Sequence, residues 1–167
     1  HVGRSRNDQV LTAMRLWMLD VVAGLRADTL RAARACLARA RGDAMTPMPG
    51  YTHLQRAVPS SVGLWMAAYA EGFLDDAHLL DLTAAWLDAS PLGAAAGYGV
   101  NLPLARTHTA QTLGFTRLHV NPLHAQHTRG LHEVQLATAC WQITQTIRRL
   151  AWDLSLYTTS EFGFCLL

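Results

Sequence analysis

The sequence predicts an all-α fold built on three long helices. Apolar residues recur at steps of three and four over three long stretches, which is the period of one helix face. No stretch of any length alternates strictly between apolar and polar residues, as a half-buried strand would. Half of the 167 residues are hydrophobic and 16% are charged, which favours an ordered core over disorder. Each helix carries more apolar surface than one stripe, so the seams are expected to continue into helices of other subunits.

The first helix follows a strongly polar segment, residues 1–9. Its apolar face runs through Leu11, Met14, Met18, Val21 and Leu25, and it is predicted to extend to about Arg41 and to stop at Gly42. Ser5, Asn7 and Asp8 then lie at a helix N-terminus, where free backbone N–H groups favour anions. The alternative interpretation is an N-cap with a solvated first turn.

A polar turn centred on His53 separates the first two helices. Residues 43–59 contain Pro47, Pro49, Gly50 and Pro59 and are predicted to form a loop. Within it, Thr52 and Gln55 flank His53 and could orient its ring or bind a substrate carboxylate. A histidine has an unperturbed pKa of about 6.5, which suits proton transfer near neutral pH.

The remaining elements follow from the same patterns. Ser60 and Ser61 are N-cap candidates for a second helix that runs to about Asp88. Residues 90–104 are small and glycine-rich, and favour close approach of the backbone to a ligand or to another helix. A short helix is predicted over residues 105–113. A third long helix is predicted from near Thr128, with its seam between Leu136 and Tyr157.

Composition argues against several classes of function. The chain contains no lysine, so it supplies no Schiff-base lysine, and its arginines are scattered along helix faces as on a solvated surface, which argues against nucleic-acid binding. No apolar run reaches the roughly 20 residues of a membrane span. Three widely separated cysteines form no C-x-x-C pair and suit a reducing cytosol.

The histidines and tryptophans are interpreted as structural residues rather than as metal or cofactor ligands. The spacing of His119, His124, His127 and His132 does not match a metal motif, so surface or polar-core histidines are expected. The tryptophans lie within the helical stretches and are expected in the core rather than around a cofactor. They are Trp17, Trp65, Trp86, Trp141 and Trp152.

Three polar segments together resemble a known family. Ser5-Arg6-Asn7-Asp8-Gln9 opens a helix, Gly50-Tyr51-Thr52-His53-Leu54-Gln55-Arg56-Ala57 follows, and Ser90-Pro91-Leu92-Gly93 comes third. This combination closely resembles the argininosuccinate lyase family of the fumarase and aspartase superfamily. The similarity extends to Glu161-Phe162-Gly163-Phe164 near the end of the chain.

The resemblance implies a fold, a reaction and residue roles. The fold would be the central long-helix bundle of that superfamily, which forms a multi-helix core in a cytoplasmic homotetramer. The reaction would be a cofactor-free, metal-free β-elimination that converts argininosuccinate, a small-molecule substrate, to arginine and fumarate. His53 matches the family's acid/base histidine, and Asn7 and Thr52 match substrate-binding positions. Ser5, Arg6 and Gln55 would support them.

The resemblance also implies that residues 1–167 are an interior part of a longer polypeptide. The family's N-terminal domain, C-terminal domain and mobile loop, with its catalytic serine and paired lysines, have no counterpart here. Ala105 stands where the family pattern places an aspartate. The chain alone is therefore expected to be inactive. Two alternatives remain open: a non-catalytic structural or regulatory homologue, and another superfamily lyase that acts on adenylosuccinate, fumarate or aspartate.

Overall fold

The computed structural model, which describes residues 2–166, confirms the three long helices. They are α1 (Arg6–Gly42), α2 (Val62–Leu87) and α5 (Leu131–Tyr157), of 37, 26 and 27 residues. The hydroxyl of Ser61 accepts a hydrogen bond from the Leu64 backbone N–H at 3.1 Å, as expected for the N-cap of α2. All three predicted helices are present, and their ends differ from the predicted ones by at most a few residues.

Two short helices separate α2 from α5. Helix α3 (Arg106–Thr112) lies within the predicted range. Helix α4 (Pro122–His127) was not expected, although Asn121 caps it by accepting the N–H groups of the two residues after Pro122 at 2.9 and 3.0 Å. Because α4 ends at His127 with Thr128 as its C-cap, and Gly130 has φ +87°, α5 begins at Leu131 rather than near Thr128.

The prediction of a loop over residues 43–59 is wrong. Strands β1 (Pro47–Thr52) and β2 (Gln55–Ser61) form an antiparallel hairpin there. Prolines suggested a loop because they cannot donate to a strand ladder, yet a two-stranded sheet has only edge strands, which tolerate them. Pro49 even lies opposite Pro59 in the pairing. A second pair, β3 (Ala89–Ser90) and β4 (Arg117–Leu118), is parallel and two residues long.

The chain divides into two compact units. The first comprises His1–Leu25 and Leu80–Ala139, and the second comprises Arg26–Leu79 and Cys140–Leu167. In the second unit, one core cluster joins α1 and α2 through Ala33, Cys36, Ala70 and Phe73. In the first unit, the fully buried apolar side chains include Met18, Leu80, Leu87 and Ala125.

The expectation that the tryptophans lie in the core is wrong for four of the five. Trp17, Trp86, Trp141 and Trp152 are between 40% and 64% exposed, and only Trp65 is mostly covered. Helical periodicity identifies an apolar face but not what covers it. The exposed rings agree with the sequence in showing more apolar helix surface than one chain buries.

Helix α3 begins without a side-chain cap. Ala105 is its N-cap residue, with φ −77° and ψ 62°, and no side chain accepts a hydrogen bond from the first-turn N–H groups. This is the position at which the family pattern has an aspartate. Alanine offers no side-chain acceptor to these N–H groups, whereas an aspartate could accept them.

Restoring the cap is expected to stabilise the protein. Ala105→Asp in the full-length protein should raise the free energy of unfolding by about 1 kcal/mol, because a carboxylate would accept first-turn N–H groups. Chemical denaturation measures this change. Ala105→Asn is the matched control, because it caps without a charge and should give a smaller gain. No gain from either variant would contradict the assignment of Ala105 as an uncapped N-cap.

Candidate active site

His53 lies at the tip of the β1–β2 hairpin. Thr52 pairs with Gln55 as the last residues of the two strands, so His53 and Leu54 form a two-residue loop. Both loop residues have positive φ, 51° and 61°, as in the type I′ turns that match the twist of a hairpin. The turn holds the His53 side chain out from the strands, where it is exposed. A residue in that position is accessible to a substrate.

A cleft of about 300 Å³ opens beside this turn within the second unit. His53 and Leu54 line one side of it, and the end of α5 lines the other. Asp153 contributes a carboxylate to the wall of this cleft. The other lining residues are Tyr51, Trp152, Leu156, Tyr157 and Phe162.

The Asp153 carboxylate is held by two aromatic donors on α2. One of its oxygens accepts hydrogen bonds from Tyr69 Oη at 2.5 Å and from Trp65 Nε1 at 2.9 Å. Burial, followed by the bond to Asp153, raises the pKa of Tyr69, so its hydroxyl remains a proton donor. The bonds fix the carboxylate beside the cleft.

A cluster of aromatic rings packs against strand β1 of the hairpin. Tyr51, two residues before His53, contacts Phe162 edge-on at 5.2 Å and Phe164 at 6.1 Å between ring centroids. Tyr157 contacts Phe164 at 5.5 Å and Trp65 at 5.1 Å. Edge-to-face pairs at these distances are favourable beyond their buried area. The Glu161–Phe164 motif thus connects the end of α5 to strand β1, which leads into the turn that contains His53.

Loss of one ring should loosen the hairpin. Phe162→Ala in the full-length protein is expected to lower the free energy of unfolding by about 1–2 kcal/mol, since it removes ring contacts to Tyr51, Tyr157 and Phe164. Hydrogen exchange of the β1 and β2 amides should also become faster. The matched control is Tyr98→Ala, which removes an exposed ring and should change stability by less than about 0.5 kcal/mol. Equal effects of the two variants would contradict the role of the cluster.

The second group of predicted residues caps helix α1. The Ser5 hydroxyl accepts the Asn7 backbone N–H at 3.2 Å, and the Asp8 carboxylate accepts the Ser5 N–H at 2.9 Å. Ser5 is therefore the N-cap, and Asp8 returns a bond to its N–H as the third helical residue does in a capping box. The N-cap interpretation is therefore confirmed, but a fully solvated first turn is wrong, because Asp8 is 0% exposed.

Asn7 is oriented by an arginine from the connection between α4 and α5. Its side-chain oxygen accepts a hydrogen bond from Arg129 Nη1 at 3.2 Å. With the oxygen engaged, the Asn7 NH₂ group is the part left to donate to a ligand. The Arg6 side chain is exposed at the start of the same helix.

The six predicted site residues fall into two groups of three. Ser5, Arg6 and Asn7 belong to the first unit, at the start of α1. Thr52, His53 and Gln55 belong to the second unit, at the hairpin tip.

Sequence analysis missed a buried cluster of one arginine and two histidines in the first unit. Arg15 is 1% exposed and donates to the Leu87 carbonyl at 3.3 Å, and burial lowers its pKa to about 10. Burial, followed by the charge of Arg15, lowers the pKa of His119 and of His132 to about 4. The only sequence signal was an arginine on the apolar face of α1, one turn after Leu11. His119 and His132 are the polar-core histidines that the spacing allowed.

Asp8 was also missed as a residue that reaches beyond its own helix. The sequence places Asp8 at the start of a helix, but nothing in it indicates contacts with residues far along the chain. Its other carboxylate oxygen accepts the backbone N–H groups of Gly93 and Ala95 at 2.9 and 3.0 Å. The first and third polar segments therefore meet within the first unit.

Over residues 2–166, no group of three or more histidine, cysteine, aspartate or glutamate side chains is arranged to hold a metal ion. Among the helices described there, none is long and apolar enough to cross a membrane.

A comparison with protein families gives a match over the whole chain. The family described as "Lyase" matches residues 1–167. This chain belongs to the lyase family.

Curated relatives of this lyase-family chain are named argininosuccinate lyase. The chain is 54% identical over 164 residues to the protein of Sorangium cellulosum, and 51% identical over 164 residues to that of Xanthomonas euvesicatoria. Both matches cover 98% of this chain and 38% of the relative. A protein of Xylella fastidiosa with the same name is 54% identical over 98% of the chain and 37% of its own length. The chain thus spans less than two fifths of the length of these relatives.

Solved structures confirm the predicted fold of the fumarase and aspartase superfamily. An EDDS lyase in complex with formate superposes with a TM-score of 0.94 at 28% identity, over 98% of this chain and 33% of that one. A fumarate lyase:delta crystallin from Brucella melitensis superposes with a TM-score of 0.83 at 26% identity, over 95% and 36%. The long-helix architecture is therefore shared with members of this superfamily.

Proposed function

We propose that this chain is the central helical part of an argininosuccinate lyase that cleaves argininosuccinate to arginine and fumarate. The observation that carries the proposal is the 51–54% identity, over nearly all of the chain, to relatives with that name. Their remaining length leaves room for an N-terminal domain, a C-terminal domain and a catalytic loop. Residues 1–167 would then be one part of the active enzyme.

The proposed reaction is a β-elimination. A proton leaves the carbon next to a carboxylate and the electron pair forms the double bond of fumarate. The C–N bond to the guanidinium group breaks, and that nitrogen receives a proton as arginine departs. The reaction needs one acid, one base and donors for the substrate carboxylates. No redox step or cofactor is involved.

His53 is assigned to the acid/base pair. Its exposed ring at the hairpin tip, beside a cleft that already holds Asp153, supports this assignment. Thr52 precedes it in the same turn and is assigned to substrate binding. Gln55 closes the hairpin and supports both of them.

Asn7 is assigned to substrate binding through its NH₂ group. The bond from Arg129 to its side-chain oxygen supports this orientation. Ser5 holds the Asn7 backbone, and Arg6 adds a positive charge that suits a substrate with three carboxylates.

The assembled enzyme is proposed to be a cytoplasmic homotetramer. The exposed tryptophans and other large apolar side chains on the long helices support association through these helices. A completed active site would draw its residues from several subunits. The isolated 167-residue chain should then be inactive.

Fumarate release tests this proposal. The full-length protein is expected to release fumarate and arginine from argininosuccinate in equal amounts, and the isolated chain is expected to release neither. Release by the isolated chain would contradict the proposal that the site needs other parts. A full-length protein that binds argininosuccinate without cleaving it would favour the non-catalytic homologue instead.

A further inference from the structure

Asp8 connects two polar segments that sequence analysis treated separately. Its carboxylate accepts three backbone N–H groups, with Ser5 on one oxygen and Gly93 and Ala95 on the other. The side chain is completely buried, so these donors replace water as its partners. A carboxylate that accepts several backbone N–H bonds in such a setting forms strong, charge-assisted contacts.

The contacts lead from the glycine-rich loop to Asn7. Asp8 holds the Ser5 N–H, and the Ser5 hydroxyl in turn holds the Asn7 N–H at 3.2 Å. On the other side, Asp8 holds Gly93 and Ala95 directly. Three hydrogen bonds in series, through Asp8 and Ser5, thus connect the loop to the backbone of the proposed substrate ligand Asn7.

The loop itself is held in a conformation that needs support. Ala95 has φ +52°, which is costly for a residue with a Cβ. Its carbonyl accepts from Gln126 Nε2 at 3.0 Å, while the Leu92 carbonyl accepts from Arg106 Nε at 3.0 Å. A Cβ on Gly93 would lie 2.7 Å from the Arg106 side chain, so only glycine fits. Asp8 supplies the contacts that join this fixed loop to helix α1.

We propose that Asp8 is a positioning residue, which sets the placement of Asn7 by fixing the start of α1 against the Gly93–Ala95 loop. The inference rests on the proposed function, because Asn7 is the substrate ligand through which Asp8 acts. Asp8 itself has no exposed surface and does not touch the substrate.

Asp8→Asn is the informative variant. An amide has one accepting oxygen and one NH₂ group, so it cannot accept from both Ser5 and the loop. In Asp8→Asn the NH₂ group would therefore face either the Ser5 N–H or the N–H groups of Gly93 and Ala95, and two donors cannot form a hydrogen bond. The side-chain volume hardly changes, so the variant breaks the connection without opening a cavity.

A double-mutant cycle in the full-length enzyme tests the connection. Asp8→Asn is expected to raise KM for argininosuccinate at least about fivefold, with a smaller change in kcat. In an Asn7→Ala background the same substitution should change KM less than about twofold, because the residue it positions is gone. An equal increase in both backgrounds would overturn the inference, since a general structural role acts independently of Asn7.

Hydrogen exchange gives a second readout. The Gly93 and Ala95 amides should exchange at least about tenfold faster in Asp8→Asn than in the wild type. Asp88→Asn is the matched control, because Asp88 also accepts a backbone N–H, that of Thr116 at 2.9 Å, and should leave both amides unchanged. If Asp8→Asn does not fold, the wild type decides the question: argininosuccinate should slow exchange at both amides, and unchanged exchange would overturn the proposal.

The two proposals fail in different ways. A wild-type enzyme that releases no fumarate from argininosuccinate would overturn the proposed function and this role together. Normal wild-type turnover with an unchanged KM in Asp8→Asn would overturn the positioning role alone.

Discussion

His53→Ala in the full-length enzyme is expected to lower kcat by about 10²-fold or more, the usual scale for losing a general acid or base. The turn at residues 53 and 54 leaves the ring exposed beside the cleft, so its removal takes away the proposed proton-transfer group and no core packing. Steady-state fumarate release measures the change. Stability should be almost unaffected, because the side chain is exposed.

A matched histidine controls for this prediction. His78 is exposed on α2 in the same unit and lies outside the residues that line the cleft. His78→Ala should keep kcat within about twofold. A His53→Ala variant with unchanged kcat would remove His53 from the mechanism.

The protein is expected to lose stability as the pH falls from about 6.5 to about 4. His119 and His132 have folded-state pKa values of about 4, lowered by burial and by Arg15, whereas an unfolded histidine has a pKa near 6.5. Between these values the unfolded chain binds more protons, so acid favours unfolding. Below about pH 4 both states are protonated and this contribution levels off. One such histidine accounts for about 3 kcal/mol of stability at neutral pH.

Denaturation midpoints measured across this pH window test the prediction. His132 is the better site for a variant, because its ring stacks on Trp86 at 4.2 Å and it belongs to a helix rather than to a loop. His132→Gln should flatten the loss of stability in acid, even if it lowers stability at pH 7. The exposed His108→Gln should leave the profile unchanged. A wild-type profile that is flat between pH 6.5 and 4 would contradict the prediction.

Local patterns predicted the long helices because the helix period and the capping residues act over a few neighbouring positions. The predicted stop of α1 at Gly42 matches the observed end, and the start of α2 follows from the Ser61 N-cap. The β1–β2 hairpin was missed because its prolines signalled a loop, while strand pairing depends on partners across the turn. The exposed tryptophans were misjudged for a related reason, since periodicity shows that a face is apolar and not whether this chain covers it.

The candidate site was predictable to the extent that it consists of contiguous motifs. The roles of His53 and Asn7 were predicted from a family resemblance carried by short contiguous motifs. The residues that support them could not be found in this way, because their partners lie far along the chain: Asp8 contacts Gly93, and Tyr51 contacts Phe162. Such contacts depend on tertiary packing.

Substrate discrimination by the full-length enzyme tests the central claim most directly. The protein would be assayed for fumarate release with argininosuccinate and with adenylosuccinate at matched concentrations. The account predicts turnover of argininosuccinate and a much lower kcat/KM for adenylosuccinate. A preference for adenylosuccinate would contradict the account and assign the chain to another lyase of the same superfamily.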